Sequence, residues 1–116
     1  MTMRQILLAI LTVLMLSIGQ VLFKYASDKI DIQGKGILAG LLLNPAFVIA
    51  IVVYGVATIT WLLLLKMTPL RIAYPFAALA FIIVPIFAFI FLGETLRWTT
   101  FAGAAMIMLG VYISLL

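Results

Sequence analysis

Pro69-Leu70-Arg71-Ile72-Ala73-Tyr74-Pro75-Phe76-Ala77-Ala78-Leu79 opens an apolar run that continues to Leu92 and stops at Gly93-Glu94. The 21 residues from Ile72 to Leu92 carry no charge. A bilayer core about 30 Å thick needs roughly 20 such residues in a helix. Pro75 and Pro85 lie inside the run. In a soluble helix each would remove a backbone bond and clash with the preceding turn. In a membrane bundle, neighbouring helices and side chains can satisfy the freed carbonyls. The stretch reads as a bent membrane helix opened by Pro69 and Arg71, with Tyr74 beside the bend. Two readings stay open: a moving or ligand-lining element, and a static kink that fits its neighbours.

The rest of the chain agrees with a membrane setting. Of 116 residues, 68% are hydrophobic and 9% charged. Soluble domains are about 45–50% apolar and about 25% charged, so this one could not hide its apolar surface from water. There is no cysteine, which excludes disulfides and thiolate metal sites. There is no histidine, which excludes Ser-His chemistry and the usual zinc centres within one chain. No acid–base or nucleophile pair occurs inside the apolar segments, so no enzyme, metal or cofactor is expected.

Working outward, Ile6–Phe23 reads as the first span, closed by Lys24. At about 18 residues, with further spans following, it is too long for a secretory signal. Ser17, Gln20 and Lys24 are three and four apart and share a helical face. That stripe should turn away from lipid, because an unpaired amide in hydrocarbon is costly. Residues 26–36 form a polar loop, and Ile37–Leu43 either begins the next helix or lies at the interface. The second span is 45–65, with Asn44 as N-cap and Pro45 at the first helical position. Tyr54, Thr58 and Trp61 share one of its faces. The third span is 70–92 and the fourth 98–116. In the fourth, Gly103 and Gly110 are seven apart on one face, suited to close helix association.

The fold expected is therefore an all-α, four-helix membrane domain over 1–116. Four spans leave little room to enclose a substrate path, and a dimer is expected. Both termini fall on one side with Arg4, Lys66 and Arg71; the other side collects Lys24, Lys29, Lys35 and Arg97. With three cations against four, the positive-inside rule has almost nothing to act on. Antiparallel pairing, with itself or with a related chain, follows as an expectation. Inverted copies around a midplane site are a general carrier architecture. The net charge of +4 is spread over segment ends rather than gathered in a patch, so lipid headgroups rather than nucleic acid are the expected partners.

Gly19-Gln20 with Lys24, and Pro69 with Ile72-Ala73-Tyr74, resemble the small multidrug resistance family of the drug/metabolite transporter superfamily over nearly the whole chain. The resemblance implies an antiparallel dimer, pocket tyrosines at Tyr54 and Tyr74, and a dimerisation motif at Gly103 and Gly110-Val111. Two departures bear on function. The family's membrane glutamate, three residues before Gly19, is Leu16 here; its pocket tryptophan, three after Tyr74, is Ala77. The third-helix glycine kink is replaced by Leu79-Ala80-Phe81, which leaves Pro75 and Pro85 to bend the helix. Proton exchange for a cationic drug needs a buried carboxylate. The acids present, Asp28, Asp31 and Glu94, all lie at or beyond segment ends.

Gly19-Gln20-x-x-x-Lys24-x-Ala26 and Trp61-Leu62-Leu63 followed by Ile72-Ala73-Tyr74-Pro75 look closer to the small flippase subunits for aminoarabinose-phosphoundecaprenol. That likeness implies movement of a lipid-linked sugar across the bacterial inner membrane by two related subunits, as a homodimer or heterodimer. Gln20, Lys24, Tyr54, Thr58, Trp61 and Tyr74 are the candidate substrate contacts. Lys24, Lys66 and Arg71 suit a phosphate headgroup near the interface. The alternatives are a small-molecule or drug exporter coupled another way, and a non-transporting subunit that stabilises a partner.

Overall fold

The structure is a computed structural model, and it describes residues 2–29 and 37–116. Its helices are α1 (Met3–Ser27), α2 (Ile37–Leu42), α3 (Pro45–Met67), α4 (Leu70–Ala73), α5 (Ala80–Leu92) and α6 (Trp98–Ser114). A 3₁₀ segment, Tyr74–Leu79, joins α4 to α5. Among the described residues, three stretches are long and apolar enough to cross a membrane: Met3–Ser27, Pro45–Met67 and Leu70–Leu92. Trp98–Ser114 is a shorter apolar helix.

Local chemistry sets the helix ends. Thr2 caps α1 in a reciprocal box with Gln5, so two orphan donors are satisfied at once. The Gln5 Nε2 also donates to the Met67 carbonyl at 3.0 Å, tying the start of α1 to the end of α3. At the other end of that pair, Asn44 does two jobs. Its Oδ1 accepts from the Ala46 N–H at 3.1 Å, capping α3. Its Nδ2 donates to the Ala26 carbonyl at 3.0 Å, holding α3 to α1. Pro45 occupies the first turn, where no donor is needed. Gly93, at φ +70°, ends α5 in the left-handed region that favours glycine.

The main packing is α1 against α3, with α5 on another side of α1. The α1–α3 seam is made mostly of small residues. Ala9, Thr12, Gly19 and Ala26 are buried on α1; Ala46, Ala50, Ala57 and Leu64 are buried on α3. With little side chain between them, the two backbones can approach closely. Thr12 and Thr60 meet across this seam at 3.0 Å. Thr12 also reaches the Leu8 carbonyl and Thr60 the Ala57 carbonyl, each at 2.8 Å. Two hydroxyl protons serve these three contacts, so only two bonds form at a time. Ala73 of α4 completes a small core with Ala9 and Leu64, covered by Trp61 and Phe76.

Several boundaries differ from those read in the sequence. The first helix is longer at both ends, because the Thr2 box starts it early and it runs past Lys24 to Ser27. The polar loop expected over 26–36 thus begins inside α1, and residues 30–36, with Asp31 and Lys35, lie outside the described residues. Ile37–Leu42 is a helix of its own, separated from α3 by the extended cap at Asn44. The irregularity in the third stretch falls at Tyr74–Leu79, around Pro75. Helix α5 runs unbroken through Pro85.

The molecule measures 52 × 36 × 19 Å. Its thinnest dimension is less than two helix diameters, at about 10–12 Å each. Outward faces of all the long helices are apolar and exposed, as expected where lipid rather than water is the neighbour. Helix α6 touches chiefly α5 and the 3₁₀ segment. Most of its large side chains, including Trp98, Met106, Leu109 and Tyr112, are exposed.

Candidate functional site: an aromatic cavity

Tyr54 lies near the middle of α3, and Leu16 near the middle of α1. Between them is an open cavity of about 330 Å³ lined by Leu16, Tyr54, Thr58, Trp61, Tyr74 and Ala77. The shared face of Tyr54, Thr58 and Trp61 supplies one wall. Tyr74 arrives from the start of the 3₁₀ segment and Ala77 from one turn further on.

The ring of Tyr54 is positioned by α1. Gly19 leaves its place empty: a Cβ there would stand 2.8 Å from Tyr54 Cδ2. Phe23 holds the ring from the next turn, with centroids 5.4 Å apart and planes tilted 55°. Gln20 Nε2 donates to the Tyr54 hydroxyl at 3.3 Å. Trp61 and Tyr74 pack edge to face at 6.5 Å, an arrangement favoured by the ring quadrupoles. The Thr58 hydroxyl donates to its own helix, at the Tyr54 carbonyl, 2.8 Å away. It keeps its acceptor lone pairs for a ligand. The Gln20 side-chain Oε1, the Tyr74 hydroxyl and the Trp61 indole N–H have no hydrogen-bond partner among the described residues. A separate groove of about 370 Å³ is lined by Gln20, Ala80, Phe81, Val84 and Pro85.

The Ser17–Gln20–Lys24 stripe is divided by depth. Ser17 is fully buried and donates to the Val13 carbonyl at 2.8 Å. Gln20 opens toward Tyr54. Lys24 is exposed and pairs with Asp28 at 3.2 Å. Lys66 and Arg71 are exposed at the opposite end, where α3 turns into α4. The cations therefore bracket the cavity from its two ends and do not line it. Gly103 and Gly110 lie on α6, where added Cβ atoms would meet nothing within 4 Å. Leu16 and Ala77, noted in the sequence as departures, are wall residues of the cavity itself. Phe23 is a support that the sequence alone does not single out. The acids among the described residues, Asp28 and Glu94, are exposed at helix ends.

A multi-pass helical membrane protein with a neutral, aromatic, hydrogen-bonding cavity between its helices suits the class of membrane transporters. The chain belongs to the EamA-like transporter family, whose model matches residues 8–116. That family lies in the drug/metabolite transporter superfamily. The chain is similar to the probable 4-amino-4-deoxy-L-arabinose-phosphoundecaprenol flippase subunit ArnF of Erwinia tasmaniensis, at 33% identity over 93% of this chain and 91% of that one. It is 29% identical to the probable ArnF subunit of Proteus mirabilis, over 90% of this chain and 86% of that one. It is also 29% identical to the probable ArnE subunit of Pectobacterium atrosepticum, over 92% and 94%. No solved structure matches the chain.

Proposed function

We propose that the chain is a flippase subunit that moves a phosphate-linked sugar on a polyprenyl carrier, of the aminoarabinose-phosphoundecaprenol kind, across the bacterial inner membrane. The observation that carries this reading is the pairing of Leu16 and Ala77 in one cavity wall. A cavity with leucine where a carboxylate would bind a cation offers no counter-charge. Ala77 leaves open the space a tryptophan ring would fill. What remains is a neutral chamber with amide, hydroxyl and indole groups, suited to the hydroxyls of a sugar. Lys24 at one end, and Lys66 and Arg71 at the other, would meet the phosphate as it enters and leaves. The polyprenyl tail stays in the bilayer, so the cavity can be open on its side.

The aromatic cavity is open, so one chain does not enclose such a headgroup. We therefore read the working unit as an antiparallel pair of four-span chains, as homodimer or heterodimer with a related subunit. In this reading α6 is the fourth span: 17 residues reach about 26 Å at 1.5 Å each. That length lies at the short end of what spans a bilayer. Gly103 and Gly110 would lie in the pairing surface.

Reconstitution in proteoliposomes, alone and with a related subunit, tests the proposal. A polyprenyl-phosphate-linked amino sugar should become accessible to a membrane-impermeant amine reagent in the opposite leaflet. Gradient-driven uptake of lipophilic cations with no effect on the lipid would overturn the reading in favour of a drug exporter.

A further inference from the structure

A second concavity, of about 360 Å³, lies between the C-terminal halves of α1 and α5. Ile18, Val21, Leu22 and Tyr25 form one wall, and Phe87 and Phe91 the other. Ile18 and Gln20 are two residues apart on α1, which turns them about 200° from each other. The groove therefore opens away from the Tyr54 cavity. Its walls are hydrocarbon except at the mouth, where the Tyr25 hydroxyl sits. Lys29 Nζ donates to that hydroxyl at 2.7 Å and lies 4.3 Å from the ring centroid. Lys29 pairs with no carboxylate among the described residues, whereas Lys24 is already paired with Asp28.

Charge at this end is balanced closely. Lys24, Lys29 and Arg97 stand against Asp28 and Glu94 among the described residues. A diffuse basic field is therefore weak here, and Lys29 is the cation in contact with an aromatic side chain that lines the groove. Lys29 thus stands against Tyr25, the groove's interfacial aromatic wall, and brings an ammonium to the edge of an apolar slot. Basic sites between membrane helices at the interface suit anionic headgroups, and an acyl chain can lie in an apolar slot without leaving hydrocarbon.

We propose that this groove binds an anionic glycerophospholipid, with one acyl chain between α1 and α5 and its phosphate on Lys29. The site is separate from the flipped substrate's cavity and stands whether or not the substrate reading holds.

The test is native mass spectrometry of the full-length protein extracted with phosphatidylglycerol, phosphatidylethanolamine or phosphatidylcholine present at equal concentration. Phosphatidylglycerol should be retained over the other two by about five-fold, the factor one interfacial lysine supplies. Lys29→Gln should remove that preference. Val21→Trp, which fills the slot, should lower retention of phosphatidylglycerol while leaving the Lys29 charge in place. A second readout covers a variant that folds poorly. Phe91→Trp should be quenched more by phosphatidylglycerol brominated on its acyl chain than by the equivalent phosphatidylcholine. Equal retention of the three lipids, or a preference unchanged in Lys29→Gln, overturns the proposal. Stoichiometric displacement of phosphatidylglycerol by undecaprenyl phosphate, with the same dependence on Lys29 and Val21, also overturns it, by assigning the groove to the substrate. Loss of headgroup transport in Tyr54 or Tyr74 variants with lipid retention unchanged leaves it standing.

Discussion

The ring of Tyr54 occupies the space that a side chain at Gly19 would take, with Cδ2 only 2.8 Å from where a Cβ would be. This contact joins the seam between α1 and α3 to the cavity. Gly19→Ala should push the ring outward and break the 3.3 Å contact from Gln20. Overpacking of this kind costs about 1–3 kcal/mol. Gly55→Ala is the matched control, because nothing lies within 4 Å of its added Cβ. Thermal unfolding in detergent and headgroup transport should both fall in the first variant and stay near wild type in the second.

Ala77→Trp should fill the cavity from the 3₁₀ segment. We expect transport of a bulky headgroup to drop at least ten-fold, with little change in unfolding temperature, since the new ring enters open space rather than packed core. A drop in stability as large as the loss of transport would point to misfolding instead.

Leu16→Glu puts an acid in the cavity wall. Burial raises a carboxyl group's pKa by disfavouring its charged form. At low pH the group is neutral and adds nothing; as pH rises it ionises and attracts cations. Binding of tetraphenylphosphonium should therefore appear in this variant and strengthen with rising pH, while the parent shows no such trend. Isothermal titration across a pH series reads this directly.

Asn44→Ala removes both the cap of α3 and its tie to Ala26. Loss of a cap alone costs about 0.5–2 kcal/mol, and the Ala26 carbonyl would lose its side-chain partner as well. Asn44→Asp keeps the cap acceptor but loses the donor, so it should fall between alanine and wild type in a detergent unfolding series.

Thr12→Val and Thr60→Val test the seam. Interhelical hydrogen bonds in membrane proteins average about 0.6 kcal/mol. Each single variant should cost about that much, and the double variant clearly less than the sum, because both remove the same 3.0 Å contact.

Much of the architecture was readable from residue order. The uncharged runs mark the long apolar helices, Asn44-Pro45 marks the start of α3, and Gly93 the end of α5. The face shared by Tyr54, Thr58 and Trp61 comes together in the cavity as a helical period requires. The small-residue seam was also present as a pattern, with Thr12, Gly19 and Ala26 seven apart, and Ala50, Ala57 and Leu64 likewise. It is hard to read because alanine and glycine carry no hydropathy contrast in an apolar segment; only their spacing distinguishes them. The bend read beside Tyr74 falls there, at Tyr74–Leu79; that α5 runs unbroken through Pro85 was not readable. Pro75 and Pro85 remove the same kind of bond, and only the neighbouring contacts decide which disturbs the helix. The support of Tyr54 by Phe23 is a contact between helices, which no periodicity within one helix reveals.

The open side of the aromatic cavity has a genetic consequence. If a second polypeptide supplies the wall facing Tyr54 and Tyr74, a chain spoiled in the cavity but intact on α6 should still be incorporated. Such an allele would poison its normal partners and behave as dominant, whereas one that also carries Gly110→Leu would be excluded from the pair and behave as recessive.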